Sequence, residues 1–238
     1  MICISILWFS FLAGLVTGAG ALIAIILKNP SDKLLSSSLG FASGIMIGIS
    51  TLSLIPQSLE TGTVYLCVGG FVCGALFLYL VDATLPHIHK YEADCDMYMK
   101  MGSFIAVGIA LHNLSEGMAI GTTSQISMDL GLKTAFSIGI HNIAEGLAIA
   151  MPLCFGKMDK TRIVFVTTMT GLATLIGALI GVKLEQISYS FISFSLAFAA
   201  GAMIYISSDE LIPHSHHVHS NTANISILAG IMLAIVLR

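Results

Sequence analysis

Long uncharged apolar runs, separated by short polar segments, dominate the pattern of the chain. No Asp, Glu, Lys or Arg occurs within residues 1–27, 34–59, 61–81, 163–182, 186–208 and 211–237. A helix that crosses a bilayer needs about 20 apolar residues, so each run is long enough to hold one. Together with the turn residues between them, the runs predict eight membrane-spanning helices, at residues 3–27, 35–58, 63–85, 101–123, 132–155, 162–183, 189–212 and 222–238.

Composition strengthens this prediction of an all-α membrane protein. Of the 238 residues, 56% are hydrophobic and 10% are charged, whereas an average soluble domain has roughly 45–50% apolar and about 25% charged residues. The connections are short, so we expect a single transmembrane domain over residues 1–238. The net charge of −3 without a basic stripe argues against a nucleic-acid partner and leaves the bilayer as the expected one.

Two features at the level of single residues add little to this picture. The first apolar run has no basic residue before it, so we interpret it as the first span rather than as a signal peptide. The five cysteines lack CxxC spacing, which argues against a disulfide framework or a thiolate zinc site.

The connections differ in their basic residues, which prefer the cytoplasmic side of short loops. Lys133, Lys183 and Arg238 belong to one side of the membrane. The other seven basic residues belong to the odd-numbered connections, namely Lys28, Lys33, Lys90, Lys100, Lys157, Lys160 and Arg162. This asymmetry predicts a multi-pass protein of the cell membrane with both termini outside the cytoplasm.

Two internal repeats link the halves of the chain. Residues 112–120 (HNLSEGMAI) on the fourth predicted span match residues 141–149 (HNIAEGLAI) on the fifth, and residues 41–56 on the second match 198–213 on the seventh. Both pairs lie on spans that run in opposite directions. They predict an inverted 3+2+3 repeat, in which spans one to three match six to eight around a central pair. Such symmetry is common in secondary transporters and favours alternating access.

The fourth and fifth spans carry the residues with the clearest chemistry. His112 and Glu116 lie four positions apart on one helical face, as do His141 and Glu145. Ionisable groups at membrane depth normally face a cavity or a partner, and either pair alone could be an interhelical hydrogen bond. Because the pattern occurs twice, we favour a site for a zinc-like divalent cation. The amide oxygens of two neighbours could serve the same ion or a second one, those of Asn113 and Asn142.

With these motifs, the chain resembles the ZIP (Zrt/Irt-like) family of divalent metal transporters, and within it the short prokaryotic, zinc-transporting branch. The resemblance covers the whole chain and implies movement of Zn²⁺, and in many members of Fe²⁺, Mn²⁺ or Cd²⁺, towards the cytoplasm without ATP hydrolysis. The metal would be a transported substrate and not a cofactor. The resemblance implies a primary metal site, which in this chain would consist of His112, Glu116, His141 and Glu145. It also implies an adjacent second site made by Asn113 and Asn142, with the two glutamates bridging the sites.

The chain departs from the family pattern on the fourth, fifth and sixth spans. Ser115 and Ala144 stand where the family usually has a proline before the motif glutamate, which affects the expected helix kink. On the sixth span, residues 171–179 read GLATLIGAL, where the family pattern resembles GLAEPxGAL. Thr174 therefore replaces an acidic residue, and we expect the second metal site to lack a charged ligand.

Two further groups of polar residues are secondary candidates for metal capture. The connection after the third span holds His87, His89, Glu92, Asp94, Cys95 and Asp96, for which solvated polar sequence is the favoured interpretation. The end of the seventh span is denser in histidine, and we retain as a possible secondary metal site Asp209, Glu210, His214, His216 and His217.

These observations predict a transporter of a divalent transition metal, most readily zinc, that moves the ion into the cell through a His/Glu site on spans four and five. An intramembrane zinc-dependent hydrolase is the alternative from another class, because His and Glu can also activate metal-bound water. A passive metal channel would use the same residues. The expected partners are divalent ions and the lipid bilayer, with a homodimer as a possible assembly.

Overall fold

The computed structural model describes residues 2–27, 31–84, 94–183 and 189–237, and this part of the chain is helical without any strand. Seven of its helical stretches are long and apolar enough to cross a membrane. The protein is therefore an all-α, multi-pass membrane protein. Its elements are α1 (Ile2–Ile26), α2 (Asp32–Ile49), the π-helix π1 (Ser50–Leu54), α3 (Ile55–Thr61), α4 (Val64–Thr84), α5 (Asp94–Ile126), α6 (Met128–Phe155), α7 (Lys160–Lys183), α8 (Tyr189–Ile206), the π-helix π2 (Ser207–Leu211) and α9 (Ile212–Leu237).

The predicted connection between the seventh and eighth spans is helical in the structure. Residues 213–221 belong to α9, so Tyr189–Leu237 forms one helical stretch of 49 residues. Its one non-helical residue is His219, with φ −160° and ψ 90°. There the imidazole Nδ1 accepts the amide N–H of Thr222, as an N-cap side chain does. The chain thus starts a new helical segment at His219 with almost no connecting loop.

A similarly short connection joins α5 and α6. The sequence predicts a connection at residues 122–131, but α5 ends at Ile126 and α6 begins at Met128. Ser127 takes extended backbone angles between them, and its hydroxyl oxygen accepts the amide N–H of Leu130. A serine cap at this point lets the two helices reverse direction within one residue.

Each π-helix ends two residues before a proline. Pro56 and Pro213 lack the amide that would continue the ordinary helical hydrogen bonding. The backbone N–H of the residue before each proline donates instead to the carbonyl oxygen five positions earlier. Ile55 donates to Ser50, and Ile212 donates to Ser207. The wider turn therefore occurs at matching places in the two halves of the chain.

The helices pack in two groups. The first group contains α1, α5, α6 and α7, and the second contains α2, α3, α4, α8 and α9 with the two π-helices. Helices pack mainly within their own group. The groups meet chiefly where α2 contacts α6 and where α5 contacts α8.

Glycines bring the repeated motif helices against their neighbours in the first group. A Cβ atom at Gly117 on α5 would overlap the carbonyl oxygen of Thr174 on α7. A Cβ at Gly146 on α6 would likewise overlap the carbonyl oxygen of Thr17 on α1. The glycine after each motif glutamate is therefore required for close contact between helix backbones, as at small-residue interfaces in other membrane proteins.

We expect Gly117→Ala to lower the stability of the protein by about 1–3 kcal/mol, because the added methyl group forces α5 and α7 apart. The matched control is Gly69→Ala on α4, where no heavy atom lies within 4 Å of the added Cβ. Alanine favours a helix over glycine by up to about 1 kcal/mol, so the control should unfold no earlier than the parent. Thermal unfolding in detergent measures both, and equal Tm values for the two variants would contradict the packing argument.

Candidate metal centre

The four ionisable residues of the repeated motifs meet between α5 and α6. Their side chains are at most 4% exposed. The carboxylate oxygen Oε1 of Glu116 lies 2.8 Å from Nε2 of His112 and 2.5 Å from Nε2 of His141. Oε1 of Glu145 lies 3.3 Å from the same nitrogen of His112. Glu116 thus joins the two helices by contacting an imidazole from each.

This arrangement suits a divalent cation. The four residues offer ligand atoms that all lie within 4.8 Å of one another, and no other group of three or more His, Cys, Asp or Glu residues in the described part of the chain does so. Zinc binds nitrogen and oxygen ligands at about 2.0–2.2 Å, so small side-chain rotations would bring all four onto one ion. Two ionised carboxylates with two neutral imidazoles carry a charge equal and opposite to that of the ion.

Several buried polar atoms of this group have no hydrogen-bond partner within the protein. They include Oε2 of Glu116 and Oε2 of Glu145. Buried polar atoms are normally satisfied, and an unsatisfied carboxylate is costly in a membrane interior. A bound cation would satisfy these oxygens, so the buried His/Glu group fits a metal site.

The two motif asparagines are held in a matching way beside the group. The amide nitrogen of Asn113 donates to the carbonyl of Thr170 on α7 at 3.2 Å, and that of Asn142 donates to the carbonyl of Ala13 on α1 at 2.9 Å. Their amide oxygens are buried and have no partner. These bonds anchor the nitrogen ends and leave the oxygens available as ligands.

Threonine hydroxyls add to the neutral oxygens near the motifs. Thr174, which stands at the family's acidic position, is fully buried, and its hydroxyl has no partner. Thr17 on α1 has the same two properties, and sequence reasoning missed it. Its only sequence signal is that it matches Thr174 when the first and sixth predicted spans are aligned by the repeat.

The helices run through the motifs without a break at the positions where the family usually has proline. α5 continues past Ser115 and α6 continues past Ala144, so neither motif helix loses a backbone hydrogen bond there. The departure from the family pattern at Ser115 and Ala144 therefore leaves both helices regular at the site, without the kink that a proline would cause. The two His/Glu pairs consequently keep the four-residue spacing of an ordinary helix.

A cavity of about 930 Å³ leads from this group to one end of the protein. Glu116 and His141 line its inner part, and Glu60, Lys133 and Leu237 line the part near the helix ends. The cavity opens at the end of the protein where the α3–α4 connection, the α5–α6 connection and the C-terminal end of α9 lie. Glu60 is exposed, and its place beside the cavity was not predicted from the sequence.

The residues of the secondary candidate are not gathered around one point. Asp209 and Glu210 lie in π2, and Nδ1 of His214 lies 3.3 Å from Oε2 of Glu210. His216 contacts the amide oxygen of Asn224 at 2.9 Å instead, and His217 is exposed. A carboxylate that the sequence did not suggest, Asp82 on α4, is close enough to interact electrostatically with Asp209 and Glu210.

The other secondary group falls largely outside the described residues. His87, His89 and Glu92 lie in the segment 85–93, and the side chains of Asp94, Cys95 and Asp96 are also outside the description. The interpretation of this connection therefore stays a prediction.

Fold and site together define a multi-pass helical membrane protein with a buried group of ligands suited to a divalent metal. The family model described as ZIP Zinc transporter matches residues 92–238. Proteins named Zinc transporter ZupT are similar over most of their length. The one from Chlorobium limicola is 36% identical over 239 residues, 88% of this chain and 89% of the relative. The one from Lysinibacillus sphaericus is 35% identical over 84% of this chain and 84% of the relative.

Zinc transporter ZupT of Salmonella newport is 32% identical over 94% of this chain and 92% of the relative. The chain belongs to the ZIP zinc transporter family, which confirms the resemblance seen in its motifs. It is accordingly a transporter, and the hydrolase alternative is excluded because members of this family are not enzymes.

Proposed function

We propose that this protein carries zinc across the cell membrane into the cytoplasm and that His112, Glu116, His141 and Glu145 hold the ion on its way. The observation that carries the proposal is the convergence of these four buried ligands between α5 and α6, within 4.8 Å of one another. Zinc is the metal that the relatives' names give. Cd²⁺, Fe²⁺ and Mn²⁺ are the other candidate substrates, since imidazole and carboxylate ligands do not exclude them.

The same proposal includes eight membrane spans within one domain, residues 1–238. The stretch Tyr189–Leu237 would be about 74 Å long at 1.5 Å per residue, more than twice the roughly 30 Å of a bilayer core. The non-helical angles at His219 give it a place to reverse direction. Two spans, 189–212 and 222–238, therefore account for this stretch better than one.

Paired contacts support the inverted 3+2+3 repeat. Gly14 on α1 and Gly171 on α7 match in the alignment of the two halves, and a Cβ atom on either would overlap the carbonyl oxygen of the other. The carbonyl partners of Asn142 and Asn113, Ala13 and Thr170, lie directly before these two glycines. π1 and π2 are a further matching pair at the same offset. An inverted repeat around a central site is the architecture that favours alternating access over a continuous pore.

The charge distribution and the cavity support the proposed direction of transport. Lys157, Lys160 and Arg162 are exposed in and beside the α6–α7 connection, which supports a cytoplasmic location for that side. The cavity reaches the opposite end, where α9 ends at Leu237. Both termini would then be extracytoplasmic, and zinc would enter from outside. A homodimer in the cell membrane remains the proposed assembly.

On the cytoplasmic side we propose a secondary site that takes the ion after release. Its residues are Asp209, Glu210, His214, His216 and His217. The contact between His214 and Glu210 supports this, as does the nearby carboxylate of Asp82. Because that carboxylate is 3.9 Å from Nζ of Lys100, part of its charge is already balanced, which suits a site that must let its ion leave.

Metal uptake by the purified protein in liposomes tests the proposed function. We expect zinc to accumulate without ATP. An excess of Cd²⁺ should inhibit zinc uptake strongly and an excess of Mn²⁺ or Fe²⁺ more weakly, because nitrogen ligands favour zinc and Cd²⁺ over Mn²⁺ and Fe²⁺. Liposomes with the quadruple alanine variant of His112, Glu116, His141 and Glu145 are the control. Equal uptake in both preparations would contradict the assignment.

The pH dependence of zinc binding supplies an independent prediction. Imidazole binds a metal only in its neutral form, so protons compete with zinc. Affinity should fall as the pH is lowered through the range in which histidine titrates, by roughly tenfold per pH unit for each imidazole that must lose a proton. The His112→Ala/His141→Ala variant should have a shallower slope. Equal slopes in titrations of variant and parent would contradict this role for the two residues.

A further inference from the structure

Four buried oxygen atoms without a hydrogen-bond partner lie around the point where α1 and α7 cross. They are the hydroxyl oxygens of Thr17 and Thr174 and the amide oxygens of Asn113 and Asn142, and all four residues are fully buried. Buried polar atoms in a membrane interior are normally satisfied, so four unpartnered oxygens in one region indicate a bound species. We name these four atoms the crossing oxygens.

Close contact between two glycines places the threonines at this crossing. Gly14 on α1 and Gly171 on α7 match in the repeat, and the backbone of each lies against the carbonyl group of the other. A Cβ atom at Gly171 would lie 2.7 Å from the hydroxyl oxygen of Thr17. A Cβ atom at Gly14 would lie 3.5 Å from the β-carbon of Thr174. Each threonine side chain therefore lies beside the glycine of the other helix.

The two motif asparagines approach the same crossing from α5 and α6. The amide nitrogen of Asn142 donates to the carbonyl of Ala13, the residue before the α1 glycine. The amide nitrogen of Asn113 donates to the carbonyl of Thr170, the residue before the α7 glycine. In each amide the oxygen is bonded to the same carbon atom as the nitrogen, so it also lies beside the crossing. Because both nitrogens already have partners, the asparagines offer only oxygen atoms to a ligand.

The crossing oxygens suit a hard monovalent cation better than a second zinc ion. None of them carries a formal charge, whereas zinc prefers imidazole, thiolate and carboxylate ligands. Neutral oxygens, by contrast, hold K⁺ and Na⁺ in channels and transporters. Coulomb repulsion scales with the product of the charges, so zinc in the His/Glu group repels a monovalent ion about half as strongly as a second divalent ion.

The place of the crossing agrees with a role in coupling. Coupling-ion sites of transporters with inverted repeats lie near the bilayer midplane, at the interface between the repeats. α1 and α7 are equivalent helices of the two halves in the proposed repeat. Each motif asparagine directly follows the histidine of its motif. An ion at the crossing would therefore lie next to the transported ion and between the two halves of the chain.

From this we infer that the crossing oxygens bind a sodium ion, and that the inward sodium gradient drives zinc accumulation. Cells keep sodium low in the cytoplasm, so a sodium ion that enters with zinc supplies free energy for uptake. The tight contact between Gly14 and Gly171 leaves little space and favours sodium over the larger potassium ion. The inference rests on the proposed transport function and names its coupling ion.

Thr17→Val/Thr174→Val is the variant that tests the site, since valine keeps the shape of threonine and removes the hydroxyl. Ser10→Ala/Ser43→Ala is the matched control. It also removes two fully buried hydroxyls, but these donate within their own helices, at 2.9 and 2.8 Å. Loss of a buried hydroxyl as such is therefore common to both variants, and loss of a crossing oxygen is not.

Two measurements on full-length protein are made for the parent and both variants. The first is zinc uptake into liposomes that contain choline chloride, with sodium, potassium or choline chloride outside at equal concentration. The second is binding of radioactive sodium to the purified protein in detergent. The parent alone tests whether sodium binds and stimulates, and the variants test where it binds.

We expect external sodium to raise uptake by the parent at least about fivefold over choline, the low end of the usual coupling between two ligand sites, and potassium to raise it less than about twofold. The control should keep this ratio and its bound sodium, whereas the Thr17→Val/Thr174→Val variant should lose both.

Equal uptake by the parent in sodium and choline, or the absence of bound sodium, would overturn the inference and leave the crossing oxygens to water. Equal stimulation by potassium would overturn the choice of sodium. Unchanged stimulation and binding in the threonine variant would overturn the assigned site. Absence of zinc uptake by the parent in every medium would instead contradict the proposed function.

Discussion

Replacement of Glu116 by glutamine is expected to abolish zinc uptake, with a fall of at least about 100-fold, and Glu145→Gln should act in the same way. Even the loss of a partner outside the ligand shell typically costs 10–100-fold in metal affinity or activity, so loss of a ligand should cost more. Glutamine keeps the size of the side chain and removes the charge that balances the ion. His112→Ala and His141→Ala should weaken uptake severely.

Asp129→Asn is the matched control for these variants. It makes the same change from carboxylate to amide on α6, at an exposed residue that pairs with Lys133 at 2.7 Å. Exposed ion pairs contribute little to stability, and uptake should stay within about twofold of the parent. Near-normal uptake by both Glu variants, at parental levels of folded protein in the membrane, would contradict the assigned ligands.

Thr174→Glu is expected to raise the amount of tightly bound divalent metal from one ion per chain towards two. Two divalent ions at short range repel strongly in a low-dielectric site, and a carboxylate offsets part of that repulsion. Besides the two motif glutamates, the parent offers neutral buried oxygens near the motifs, from Asn113, Asn142, Thr17 and Thr174. We therefore expect the second position to be weakly occupied in the parent, and release of the ion to become slower in the variant.

Metal counting requires a protein without competing histidines. In the outlying-histidine variant the other six histidines are replaced by glutamine, so that only His112 and His141 remain; the positions changed are His87, His89, His214, His216, His217 and His219. Thr174→Gln in this background is the matched control, since it adds a similar volume without charge and should leave one ion per chain. Two tight ions in the parent background, with one lost on Asn113→Ala/Asn142→Ala, would contradict the effect assigned to Thr174.

The four residues of the buried His/Glu group were predictable because the sequence pattern that marks them is local. A His and a Glu four positions apart share a helical face wherever the helix lies, and two copies on consecutive antiparallel spans can face one another. Their unequal roles were not predictable. Glu116 contacts both imidazoles whereas Glu145 contacts only one within 4 Å, and this difference depends on how α5 and α6 pack.

Other features were hidden from the sequence because they arise between distant segments. Thr17 and Asp82 belong to no motif, and each gains its place near a candidate site only when α1 or α4 packs against other helices. The helical course of residues 213–221 was missed for a different reason. The seven polar residues of that segment resemble a connection, but His219 alone interrupts the helix.

X-ray absorption at the zinc edge tests the central claim most directly, that two imidazoles and two carboxylates of α5 and α6 hold the transported ion. One equivalent of zinc bound to the outlying-histidine variant should have only nitrogen and oxygen ligands at about 2.0–2.2 Å, including imidazole scattering. That signal should disappear in the same background with Glu116→Gln and Glu145→Gln. A sulfur shell at about 2.3 Å, or tight zinc with unchanged imidazole scattering in the double variant, would contradict the claim.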